Sequence, residues 1–350
     1  MKKSIPFLLI VAAVLAVYAP ALRDGLVWDD TALILRDPLI RSWRLIPEGF
    51  NHFLFVDATA SDFYRPIQRV VYTILYCAFI FEPATYHLTN ILWHAAAAIA
   101  LFLFAQELLR AFEMQERRAR WIALVAGLIW AIHPVHSAAV IYVSGLADPL
   151  AAAFGFAACY FVLRSFRATG NLSFMWSALA GVALLFSAMS KETGFIFIAL
   201  ALALPMFLRR WEVIWKIALA ALFVGAVYLP LRQSAEHNPA PLPLDPAPLS
   251  ERPITAARAV AEYAGLLILP LHLHMDRQVD AVPRGTGDAR MDAGAWRELQ
   301  TLLGIALIAL AILWAIRART RHRLVFTLLV FAGLSYLPVS GILVLNATVA

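Results

Sequence analysis

The chain alternates long apolar runs with short polar connectors, and the connectors differ in the sign of their charge. The runs predict span 1 at Ile5–Leu22, span 2 at Thr85–Leu109, and span 3 from Trp121 to a break at Pro134. Spans 4 to 7 follow at Pro149–Leu163, Phe174–Met189, Gly194–Leu208 and Val213–Leu231. Spans 8 and 9 lie at Leu299–Ile316 and Leu324–Leu345. Several runs, of roughly 16 to 25 residues, are long enough to cross a hydrocarbon core of about 30 Å at about 1.5 Å per helical residue.

Two stretches depart from that pattern. Tyr64–Phe81 places Arg65, Gln68 and Arg69 on one side, followed by Tyr72 and Tyr76 at helical spacing. That pattern predicts a helix over 64–81 lying in the interface, within a first outer loop of residues 23–84. Ala256–Met275 contains Arg258 and Glu262 and is continuously apolar only over Tyr263–Leu271, so it reads as re-entrant or interfacial. The alternative is a full span there, compensated by another missed elsewhere. The expected fold is an all-α polytopic membrane protein of about nine spans, one domain over 1–350, with further outer loops at 232–255 and 276–298.

Charge orients the spans. Arg110–Arg120 holds four arginines and two glutamates, and Arg317–Arg323 holds four arginines. Lys2-Lys3, Arg164 with Arg167, and Arg209-Arg210 with Lys216 mark the same face, whereas Arg23–Phe63 holds seven acids. Basic connectors belong in the cytoplasm, so the acidic loop faces outward. The net charge of +6 follows from those inner loops and needs no nucleic acid as partner. A chain 62% hydrophobic and 15% charged lacks the polar surface of a soluble domain. Cys77 and Cys159 sit in apolar runs, which argues against a disulfide framework or a zinc site. No small-residue cleavage site follows the first run, so span 1 reads as uncleaved.

With this topology every conspicuous polar cluster falls at the outer boundary. Asp29-Asp30 is either a solvated loop or a general base with a second acid, and Trp28 beside it offers a wall for a sugar. Neighbouring carboxylates repel, which favours a shared proton or cation. Tyr64-Arg65-Pro66 offers either a snorkelling arginine or a fork for one phosphate. His87, Asn90 and His94 share one face of span 2, where interhelical hydrogen bonding is the simpler role. His133-Pro-Val-His136 has metal-like spacing with Asp148 as the nearest third ligand, but Pro134 breaking span 3 explains it as well. Asp148 opens span 4, where the helix dipole favours a carboxylate. Lys191 and Glu192, in the turn Ser190-Lys-Glu-Thr193, are either an interfacial anchor or a neutraliser of a donor phosphate.

In this order, "WDD", "YRP", "YHLTNILWH", "HPVHSAAVIYVSGLADPLAA", "SKETG" and "YLPVSGILVLNATVA" resemble the transmembrane and tetratricopeptide-repeat-containing O-mannosyltransferases and their bacterial homologues. The resemblance runs from about Trp28 to Ala350 and implies a GT-C glycosyltransferase. Such an enzyme moves a sugar from a polyprenyl-phosphate carrier to an acceptor outside the cytoplasm, at the inner membrane of a bacterium or in the lumen of the endoplasmic reticulum. The family's acidic motif maps onto Asp29 and Asp30, and its "GRAD" segment onto Gly145–Asp148, where the arginine is replaced by Leu146. Repeats are absent from the chain as given.

The resulting expectation is an inverting transfer of a mannose-like hexose to a Ser/Thr hydroxyl of protein, or to a glycan. Asp29 or Asp30 is the base, and Arg65 and Lys191 hold the donor phosphate. Trp28, Tyr64, His87, Asn90, His94, His133, His136, Asp148 and Glu192 line or support the site. The partners are the lipid-linked donor, the acceptor and the bilayer. No cofactor is required for a leaving group already carried as a monophosphate, although the paired acids offer a place for a divalent cation. Competing readings are a secondary transporter, which uses broken helices and midplane acids, and a non-catalytic scaffold presenting a repeat domain.

Overall fold

A computed structural model describes residues 4–56, 63–235, 248–271, 273 and 294–342. These residues form thirteen α-helices joined by short 3-10 and π-helical turns, with no strand among them. The chain divides into two compact units, Met1–Pro241 and Leu242–Ala350.

The first unit holds α1 (Ile5–Tyr18), α2 (Ile46–Gly49), α3 (Pro66–Phe79), α4 (Pro83–Ala111) and α5 (Glu116–Ile132). It continues with α6 (Ser137–Ile141), α7 (Ala147–Arg167), α8 (Gly170–Ser190), α9 (Ile196–Phe207) and α10 (Trp211–Ser234). The second unit holds α11 (Arg252–Ile268), α12 (Gly294–Arg321) and α13 (Arg323–Tyr336). Prolines open α3 and α4, where the missing N–H has no intrahelical partner to lose.

Among the described residues six segments are long and apolar enough to span: Ile5–Arg23, Pro83–Ala111, Val143–Arg167, Gly170–Ser190, Trp211–Ser234 and Trp296–Arg321. A seventh is made if Glu116–Ile132 and Pro134–Ile141, bent by 50°, count as one span. Pro134 explains the bend, because it cannot donate to the helix ladder. Shorter apolar helices, Glu192–Phe207 and Arg323–Val339, stand where spans 6 and 9 are predicted. The end of predicted span 9 and residues 236–247 and 276–293 of the outer loops lie outside the described residues.

Two ends of the first unit can be told apart by their polar contacts. At one, the C-terminal end of α4 and the N-terminal end of α5 are tied by Arg110 to Glu107 and Glu116, and Arg167 of α7 reaches Glu107. Lys216 of α10 donates to Ser173 Oγ of α8 at 2.8 Å on the same side. At the other end lie the close of α1, the starts of α4 and α7, and the turn after α8.

The segment predicted as interfacial is α3, but its polar side is not a solvated face. Gln68, Arg69, Tyr72 and Thr73 are buried, while Ile74 and Phe79 are exposed. Inside the second unit, α11 is too short to be counted among the spanning helices. Its polar residues are spent on α12: Arg258 Nε donates to Thr301 Oγ1 at 2.9 Å, and Glu262 accepts from Gln300 Nε2 at 2.9 Å.

Candidate active site

The two adjacent acids occupy different environments. Trp28 adopts a left-handed φ of +47°, a conformation that strains an aromatic residue and recurs at functional sites. Its carbonyl accepts from Thr31 Oγ1 at 2.7 Å, closing a turn before the π-helical stretch Thr31–Arg36. Asp30 is 0% exposed. One of its carboxylate oxygens accepts the Val27 N–H at 3.1 Å, and the other accepts the Ser144 N–H at 2.7 Å. Burial raises the Asp30 carboxyl above the ordinary carboxylate range and Asp29 adds to this, while the two N–H donors and His87 oppose it. Asp29 is exposed, and its N–H donates to the Tyr142 hydroxyl at 2.9 Å. Among the described residues the Asp29 carboxylate carries no hydrogen bond or ion pair. Asp30 therefore ties two backbone segments together from inside the protein, whereas the Asp29 carboxylate stays exposed.

The segment Tyr142–Ser144, between α6 and α7, organises this arrangement. Asn90 Nδ2 of α4 donates to the carbonyls of Tyr142 at 2.8 Å and Val143 at 3.2 Å. Gln68 Nε2 of α3 donates to the Ser144 carbonyl at 2.9 Å, and Tyr72 donates to Val143. The Trp28 and Tyr142 rings meet edge to face at 6.2 Å. Gly145 follows, where an added Cβ would stand 2.7 Å from the Ala138 carbonyl oxygen. Gly145→Ala should displace this segment at a cost of about 1–3 kcal/mol, with the melting temperature falling and Trp28 fluorescence reporting the shift of its Tyr142 neighbour. An unchanged melting curve would show that the close approach is dispensable. Leu146, standing where the resembling family has arginine, is fully buried with Leu33, Ile34, Leu54 and Tyr72, so this position faces the core.

The two cations expected to hold phosphate each already have a carboxylate. Lys191 Nζ lies 2.7 and 2.8 Å from the two oxygens of Asp148, with side chains 24% and 44% exposed. Arg65 lies 2.9 Å from Glu192, with side chains 12% and 16% exposed, and its guanidinium covers the Phe63 ring. Glu192 also accepts the Tyr64 N–H at 3.1 Å. The turn after α8 thus grips the start of α3 with one residue and α7 with its neighbour. Gly194 permits that turn, since an added Cβ would stand 2.3 Å from the Ser187 carbonyl oxygen.

The remaining imidazoles form an aromatic group beside these pairs. His94 stacks on Trp130 at 4.9 Å and bonds the Ala131 carbonyl at 2.8 Å. His136 lies 4.4 Å from Trp130 and 5.3 Å from His94, and acts electrostatically with Asp148. His133 caps the turn at Pro134, its Nδ1 accepting from Val135 at 3.2 Å. Among the described residues no group of three His, Cys, Asp or Glu side chains is placed to hold a metal ion. His87 is buried near Asp30, with no hydrogen-bond partner at either ring nitrogen.

Three residues of the site, Tyr142, Tyr228 and Arg232, have no separate place in the sequence reading. Tyr142 lies inside the "HPVHSAAVIYVSGLADPLAA" run without being singled out. Arg232, at the end of α10, donates to the Tyr228 hydroxyl at 3.2 Å and covers the Phe53 ring. Tyr228 in turn packs on Tyr64, joining this group to Arg65 and Glu192.

Fold and site together define a polytopic α-helical membrane protein with a charged site built at one end of its helices. Its sequence is TMTC-like. It is 27% identical over 208 residues to Protein O-mannosyl-transferase TMTC3 of Homo sapiens, covering 58% of this chain and 22% of that protein. It is 26% identical over 334 residues to TMTC2 of Mus musculus, covering 84% and 37%. F38B6.6 of Caenorhabditis elegans, also named a protein O-mannosyl-transferase, is 24% identical over 207 residues, covering 58% and 28%. The chain thus spans roughly a quarter to a third of these relatives' lengths. No protein-family model and no solved structure matches it.

Proposed function

We propose that the chain is a glycosyltransferase of GT-C type that moves a mannose-like hexose from a polyprenyl-phosphate carrier to a protein Ser/Thr hydroxyl, with inversion, on the extracytoplasmic face. The observation that carries this reading is Asp29: an exposed, unpaired carboxylate on a strained turn, fixed through its own backbone to Tyr142. The names of the relatives support the sugar and the acceptor. The segregation of basic connectors to the opposite end supports the face.

Asp29 takes the proton of the acceptor hydroxyl while that oxygen bonds the anomeric carbon. The bond from that carbon to the phosphate oxygen breaks, and polyprenyl phosphate leaves. A carboxylate is a weak base for an alcohol, so proton transfer trails bond formation, and alignment and cations on the phosphate supply most of the rate. Lys191 and Arg65 are the cations. Each binds phosphate by exchanging part of its carboxylate pairing for a phosphate oxygen, Lys191 more readily because its pair with Asp148 is the more exposed. Trp28 supplies a face for the sugar. This reading asks for no metal, because the leaving group is already carried as a monophosphate, although an acidic pair offers a place for a divalent cation.

The test is incubation of the purified full chain with polyprenyl-phosphate-linked mannose, glucose and arabinose and a Ser/Thr peptide. Mannose transferred to the peptide with inverted configuration is the expected result. Release of sugar from none of the three donors would overturn the proposal.

A further inference from the structure

Helix α3 turns its polar side inward and its apolar side outward. Gln68, Arg69, Tyr72 and Thr73 are buried, whereas Ile74, Phe79, Ile80 and Phe81 are between 41% and 57% exposed. The segment Pro83–Ala111, long and apolar enough to span, begins two residues after Phe81. The exposed apolar end of α3 is therefore joined directly to a span, where a bilayer surface can cover it.

Beside that end stands Arg41, which closes the 3-10 turn Pro38–Ile40. Its guanidinium carbon lies 4.5 Å from the centre of the Tyr76 ring and 4.9 Å from that of Phe81, and the two rings meet edge to face at 5.3 Å. Among the described residues its one side-chain hydrogen bond runs from Nη2 to the Leu35 carbonyl at 2.5 Å, and no carboxylate pairs with it. Arg44, exposed and 5.5 Å from the ring centre of exposed Trp43, is likewise without a carboxylate among those residues. By contrast, Arg65 and Arg69 are paired with Glu192 and Asp37. A cation lacking counter-charge thus stands where apolar residues are exposed. Phosphate suits the cation and acyl carbon suits the apolar face, and one phospholipid supplies both.

We propose that Arg41 binds the phosphate of a phospholipid headgroup, with Phe79, Ile80 and Phe81 resting on the upper acyl carbons of the same leaflet. The Tyr76 and Phe81 rings hold the guanidinium in place, so its planar fork meets phosphate oxygens with little further ordering. A lipid of net negative charge is favoured over a zwitterionic one, whose own cation opposes Arg41. The occupant is a bulk lipid and not the sugar donor. Tyr76 comes eleven residues after Arg65, about 16 Å along the helix at about 1.5 Å per residue, which sets Arg41 apart from the cations proposed for the donor phosphate. The site goes beyond the proposed transfer and does not depend on it.

The test uses the full chain in nanodiscs of phosphatidylcholine and phosphatidylglycerol in equal parts. Native mass spectrometry should find phosphatidylglycerol retained, and Arg41→Gln should lower that retention about tenfold, as for loss of one charge-assisted hydrogen bond. Arg41→Lys should recover part of it. Unchanged retention in Arg41→Gln would overturn the proposal. So would displacement of the retained lipid by polyprenyl phosphate, which would give the site to the donor. Cys77 is exposed on α3 and Cys159 is buried, so a nitroxide thiol reagent labels Cys77 selectively. That label should be open to oxygen and shielded from a soluble nickel chelate, and a label open to the chelate would place α3 off the membrane and overturn the proposal. If Arg41→Gln does not fold, modification of the wild-type chain by phenylglyoxal decides instead: phosphatidylglycerol must protect Arg41 more than phosphatidylcholine alone, and equal modification would overturn the assignment. None of these readouts uses sugar transfer, so their failure is distinct from failure of the proposed function.

Discussion

Replacing Asp29 with Asn lowers transfer by about 10²–10⁴-fold, the range for loss of a positioned general base, and leaves the melting temperature unchanged. The contrast with Asp30 gives the prediction its force. Asp29 is exposed and contributes its backbone to the structure, so an isosteric amide removes the proposed base and little else. Asp30 accepts two backbone N–H groups from inside the protein. An Asn there must turn its NH2 group toward one of those donors, leaving a buried clash of like partners. Asp30→Asn should therefore lose both transfer and about 1–3 kcal/mol of stability. Melting curves and single-turnover transfer on both variants separate the roles. Equal melting losses, or transfer unimpaired in Asp29→Asn, would refute the assignment of the base.

The apolar periodicity made the helical architecture legible, because a span must bury its backbone polar groups within itself whatever its neighbours do. The break at Pro134 and the odd character of Ala256–Met275 were legible for the same local reasons. What could not be read was the difference between Asp29 and Asp30, which are adjacent in sequence and alike in chemistry. Their environments are set by Tyr142 and Ser144, 113 and 114 residues away. Arg65 and Lys191 read as free cations because Glu192 and Asp148, at separations of 127 and 43 residues, cannot be assigned to them from spacing. Leu146 read as a missing arginine, whereas its position faces a core assembled from the first loop, α3 and α7. The sequence identified which residue types were out of place in a membrane. Tertiary pairing decided which of them remain available for chemistry.

Arg69 is the residue whose removal should damage the structure most. It is 2% exposed, on the polar side of α3 that reads from sequence as an interfacial face. Every one of the guanidinium's five donors is used. Nε pairs with Asp37 at 3.1 Å, Nη1 donates to the carbonyls of Gly49 and His52, and Nη2 donates to those of Phe53 and Leu54. Burial lowers the Arg69 pKa and the Asp37 charge opposes this, so the cation persists because the pair is complete. Arg69→Ala leaves a carboxylate that is 3% exposed with no cation, and four carbonyls with no donor. The expected loss is about 3–5 kcal/mol. Arg69→Lys should recover little of it, because one ammonium cannot reproduce the planar fork. Limited proteolysis should cleave residues 37–54 first, and transfer should fall in step. Leu54 and Tyr72 share their core with Leu33 and Ile34, three and four residues after Asp30 along the chain. Releasing the loop at Arg69 therefore loosens the turn that presents Asp29, so a wild-type melting curve in Arg69→Ala would break the link from this buried cation to the acidic pair.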